Sequence, residues 1–99
     1  TRMNGEMIAL RNTLIQKTDE LSGKLVDYAE TQIAILEERD EVWFGMDPAD
    51  SVAERDRQAD HSVIHHQRDR LTLEGEIAAL RANISALEWS LKIALHKPE

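Results

Sequence analysis

The stretch Gly45-Met46-Asp47-Pro48-Ala49-Asp50 decides the fold, because it is the one interruption between two long periodic segments. Gly45 can take the left-handed conformation that ends many helices. Asp47 is a good N-cap, Pro48 suits a first helical position, and Asp50 stands where a capping box places its acid. The reading is a helix over about 4–44, a turn at 45–48 and a second helix over about 48–97. So short a connection brings two helices together as antiparallel neighbours.

Both flanks carry a seven-residue period. Before the turn, apolar residues recur at Met7, Leu14, Leu21, Tyr28, Ile35 and Val42, with half-steps at Met3, Leu10, Thr18, Leu25, Gln32 and Arg39. After it, one seam runs Val52, Ala59, His66, Leu73, Leu80, Leu87 and Ala94, with half-steps at Asp56, Val63, Arg70, Ile77, Ile84 and Leu91. This is coiled-coil patterning. Facing the seams sets Val42 opposite Val52, Ile35 opposite Ala59, Tyr28 opposite His66 and Leu14 opposite Leu80, while Arg39 meets Asp56. The expected fold is all-α, an antiparallel two-helix coiled-coil hairpin forming a single domain over residues 1–99.

A lone two-helix seam buries little area. A second stripe offers further cover, with Ile8, Ile15, Ala29, Ile33, Leu36 and Trp43 on the first helix. On the second helix it comprises Leu71, Gly75, Ala78, Ala79, Ala82, Ala86, Trp89 and Ile93. A helix apolar beyond one seam contacts more than one neighbour. The expectation is a homodimeric helical bundle closed through Leu71, Gly75, Ala78, Ala82, Ala86 and Trp89, with alanines that only support helicity as the alternative.

Charge is unevenly placed. The 99 residues hold 12 Lys and Arg against 19 Asp and Glu, a formal net charge of −7. Residues 37–60 alone hold nine acids and three bases, which is −6 of that total. An acidic chain with 4% aromatics fits neither a phosphate-backbone clamp nor a base-stacking platform, so no direct nucleic-acid partner is expected. Without cysteine there is no disulfide scaffold and no thiolate metal site. Apolar runs stop at four residues, so neither a membrane span nor a signal-peptide core is visible, Met3 is a plausible natural start, and a cytoplasmic location is expected.

Few residues suggest chemistry. Asp47 and Asp50 could complete a hard-cation site with groups from a partner, or simply cap the second helix. His61, His65 and Asp69 stand four residues apart, a workable spacing for zinc or nickel, although solvated surface histidines are the simpler explanation. Trp43 and Phe44, beside Glu41 and the turn, are either interface anchors or a cover over the caps. There is no Gly-rich phosphate loop, activated serine or cysteine nucleophile, so no enzyme and no cofactor are expected.

The run from Gly45 to Ala53, followed by a long helix containing Gly75-Glu76-Ile77-Ala78-Ala79-Leu80, resembles the coiled-coil finger of bacterial secondary-channel regulators of RNA polymerase, of the Gre and DksA types. The resemblance covers residues 45–80 best. It implies a finger entering the polymerase channel, with Asp47 and Asp50 as the tip acids acting at the catalytic Mg²⁺ and Val52 in the place of the family's tip alanine. Three function classes therefore follow. The chain is a polymerase-binding regulator of transcription, a homodimeric four-helix-bundle adaptor or scaffold of phage or bacterial origin, or a small acidic inhibitor using residues 37–60.

Overall fold

The computed structural model describes residues 4–96, all-α, with helices α1 (Gly5–Gly45), α2 (Val52–Ser62) and α3 (Ile64–Leu95). The seam position Met3 lies outside the described residues. Asn4 opens α1, its side-chain carbonyl accepting the Met7 N–H at 2.9 Å, and Glu6 adds negative charge where the helix dipole favours it. α1 then runs to Gly45 without a left-handed residue, since no described glycine has positive φ. The expected left-handed ending at Gly45 is therefore absent.

The second helical segment starts later than Asp47-Pro48 predicts. Asp47 does not cap a helix at Pro48; its carboxylate turns back to accept the Ala49 N–H at 2.9 Å, and its carbonyl accepts the Asp50 N–H at 2.9 Å. That local Asx turn competes with a helical start. The N-cap is Ser51, extended at φ −67° and ψ 156°, whose hydroxyl accepts the Glu54 N–H at 3.1 Å. The Ser-x-x-Glu spacing of a capping box is thus met at Ser51 and Glu54.

Nor is the segment continuous. Val63, at φ −103° and ψ 10°, ends α2, and its carbonyl accepts the Gln67 N–H at 2.9 Å to start α3. Ser62 Oγ donates back to the Ala59 carbonyl at 2.7 Å, the type of side-chain bond that competes with helical pairing. Val63 itself is 1% exposed. The interruption is anchored by burial.

Two compact units divide the chain. One joins Thr1–Leu25 to Gly75–Glu99, and the other is Val26–Glu74. In the first, Met7, Ile77 and Ala94 are buried, with Leu10, Leu14, Leu21, Leu80, Ile84, Leu87 and Leu91 half-buried. Lys24 forms an ion pair with Glu76. In the second, Ile35, Ala59 and Val63 are buried. Every buried residue sits on a seam position. The half-steps of α1 differ from expectation, however: Lys17 and Lys24 are half-buried, while Thr18 is exposed and Leu25 is 39% exposed. The strict period from Leu10 is kept, and lysine stems can cover apolar surface while their ammonium groups stay wet.

Pairing within Val26–Glu74 also departs from the expected register. Tyr28 does not meet His66; its hydroxyl donates to Glu74 Oε1 at 3.0 Å, and His66 Nε2 lies 2.8 Å from Glu38 Oε2. Arg39 does reach Asp56, at 3.9 Å, but binds Asp60 more closely at 2.8 Å. Six residues, 46–51, connect α1 to α2, so the facing residues fall about one turn later than a start at Pro48 implies.

Candidate functional site

The turn is built by side chains reaching back over it. Arg55 Nη2 donates to the Asp47 carbonyl at 3.1 Å, and the same guanidinium lies 4.9 Å from the centre of the Trp43 ring. Trp43 Nε1 donates to Asp56 Oδ1 at 3.1 Å, and its ring meets Phe44 edge-on at 5.0 Å. Arg55 thus ties the end of α1 to the turn by a cation–π contact and a hydrogen bond. Trp43 serves this internal packing. Phe44 does not share it fully, being 76% exposed.

The acidic candidates divide in the same way. The Asp47 carboxylate is used locally by Ala49. The Asp50 side chain is exposed and has no partner among the described residues, and Glu41 and Val52 are exposed as well. Glu54, not singled out by the sequence reading, is the most perturbed acid: hydrogen bonds from Arg57 and then Gln58 hold it at about 2, well below its ordinary value. Its signal was present in the sequence as Ser51-x-x-Glu54. The hydrogen bond to Asp60 raises Arg39, and the bond to Glu74 raises the Tyr28 hydroxyl.

His61, His65 and Asp69 do not form a metal-ligating group. The break at Val63 falls between His61 in α2 and His65 in α3, so the uninterrupted helical face that four-residue spacing requires is lost. His61 instead lines a shallow groove of about 360 Å³ with Val42, Arg57, Gln58 and Ser62. One ligand-bearing cluster does occur among the described residues, Glu38 with His65 and His66.

On the expected interface, Leu71 is 60% and Trp89 62% exposed, and Gly75, Ala78, Ala82 and Ala86 are exposed. A Cβ at Gly75 would meet nothing within 4 Å. Lys92 Nζ lies 6.0 Å from the Trp89 ring centre. No helix among the described residues is long and apolar enough to cross a membrane. Comparison with models of protein families, with curated proteins and with solved structures gives no match for this chain.

Proposed function

We propose that this chain is a non-enzymatic interaction protein of the cytoplasm, an antiparallel coiled-coil hairpin that pairs with a second copy and presents an acidic turn to a protein partner. The observation that carries the reading is the exposed apolar stripe. Leu71, Trp89 and Ile93 on α3, and Ile8, Ile15, Ile33 and Leu36 on α1, all remain exposed in the single chain. Among the described residues each unit buries three apolar side chains, a small core for an independently stable fold. The exposed small residues Gly75, Ala78, Ala82 and Ala86 allow the backbone of another helix to come close. Sedimentation equilibrium should give twice the 11.3 kDa chain mass. Ala82→Glu combined with Trp89→Lys should return it to one chain mass with helicity retained. A native chain that stays monomeric at high micromolar concentration overturns the reading.

The exposed, unpartnered Asp50 and the exposed Phe44 favour a second reading, in which the turn enters a cation-containing channel of RNA polymerase and regulates transcription. Crosslinking to polymerase that Asp47→Ala plus Asp50→Ala abolishes would support it, and absence of any crosslink to polymerase would remove it.

A further inference from the structure

We propose that Glu38, His65 and His66 form a binding site for a zinc ion, bridging α1 to α3 within the Val26–Glu74 unit. One ligand atom from each side chain lies within 4.8 Å of the other two. His66 Nε2 is 2.8 Å from Glu38 Oε2, and the His65 and His66 rings face each other at 3.9 Å between centroids, tilted by 38°.

A regular helix turns about 100° per residue, which sends adjacent side chains in different directions. The two imidazoles nevertheless converge, just past the interruption at Val63 and in the opening turn of α3. A Glu38–His66 ion pair explains only two of the three groups. His65 is exposed, with no hydrogen-bond partner among the described residues, yet its ring is stacked on the ring that meets the carboxylate. A metal ion explains all three.

Donor chemistry selects the class of ion. Two imidazole nitrogens and one carboxylate oxygen form a ligand set that zinc uses, with a water molecule completing four-coordination. Magnesium and calcium prefer oxygen-only sets, so they are disfavoured here. Ligands about 2.0–2.2 Å from a tetrahedral ion lie roughly 3.3–3.5 Å apart. The Glu38–His66 contact must therefore open slightly and any wider separation, none above 4.8 Å, must close by at most about 1.5 Å, which rotation of partly exposed side chains allows. Because an ion held by both helices binds the folded chain better than the unfolded one, occupancy stabilises this unit. The site does not depend on the dimer or polymerase readings.

The test is calorimetric titration of the tag-free full chain with zinc, and of the same chain with cobalt followed by visible absorption. One ion per chain is expected. His65→Ala, which removes an exposed ring, should weaken binding about tenfold or more, as should Glu38→Gln, while His61→Ala should leave it unchanged. With zinc at a hundred times its dissociation constant, the thermal midpoint of the native chain should rise by roughly 10 °C, and that of His65→Ala by far less. No saturable binding, or equal affinity in the native and His65→Ala chains, overturns the site. So does a loss in His61→Ala as large as that in His65→Ala.

Discussion

The unit of Thr1–Leu25 with Gly75–Glu99 and the unit Val26–Glu74 share one seven-residue period but solve the packing problem with different chemistry. In the first, the seam is mostly apolar, with Met7, Ile77 and Ala94 buried, and the stems of Lys17 and Lys24 take α1 half-steps, Lys24 pairing with Glu76. In the second, polar side chains span the helices: Tyr28 to Glu74, Glu38 to His66, Arg39 to Asp56 and Asp60, and Trp43 to Asp56. Period determines which residues face a neighbour, while residue type determines what the meeting is worth. Apolar burial is stabilising whatever the salt concentration, whereas exposed ion pairs contribute little and are screened. The polar unit is therefore the one whose stability can be altered by conditions or by a bound partner.

The largest effect should come from removing a buried aliphatic side chain. Ile77→Ala should cost about 2–4 kcal/mol, read from the urea midpoint by circular dichroism, with Ile77→Val costing about 1 kcal/mol. Ile35 is buried to a similar degree in the polar unit, at 6% exposed against 7% for Ile77. If the contrast between the units holds, Ile35→Ala is the milder change, because a seam occupied partly by polar residues offers the deleted methyl groups fewer aliphatic contacts to lose. Equal losses at the two positions would break the comparison.

An intermediate effect should separate the two possible starts of the second helical segment. Ser51→Ala removes the N-cap hydroxyl and should cost about 1 kcal/mol, while Asp47→Ala loses only a turn contact and should cost less. Asp47→Ala costing more than Ser51→Ala would return the helix start to Pro48.

Seam membership was legible in the sequence for most apolar residues, although Leu25 and Val52, which the period also selects, stay exposed. The six buried side chains among the described residues fall on positions that the seven-residue period picks out. The period is a property of helix geometry, so it can be read without knowing the partner. Where polar residues occupy the seam, the period no longer says which long side chain reaches which, and Tyr28 pairs with Glu74 in place of His66. Cap choice failed for a different reason. Asp47-Pro48 and Ser51-x-x-Glu54 are both valid helix starts, and the Asp47 carboxylate settles the competition by folding onto Ala49. The break at Val63 had no warning in composition, since no glycine or proline marks it, and it in turn separated His61 from His65. The ligand cluster with Glu38 needed a residue from another helix, which spacing along one helix cannot reveal.

The smallest effect expected is an acid limb of stability that belongs to the polar unit. Glu54 is held at about 2, first by its hydrogen bond from Arg57 and then by that from Gln58. A carboxylate whose folded value lies below its unfolded one stabilises the fold above the unfolded value, and that stabilisation is lost as pH falls through the folded value. The window therefore runs from about pH 5 down to about pH 2. Because Glu54 sits near the surface, solvent screens the pair and the slope should be shallow. Urea midpoints followed across this window should fall faster for the native chain than for Glu54→Gln, whose side chain does not titrate. Ile77→Val, in the aliphatic unit, should lower the whole curve without changing its shape. Parallel curves for the native chain and Glu54→Gln would show that the Arg57 pair adds nothing to the folded state, leaving Ser51 alone to hold the start of α2.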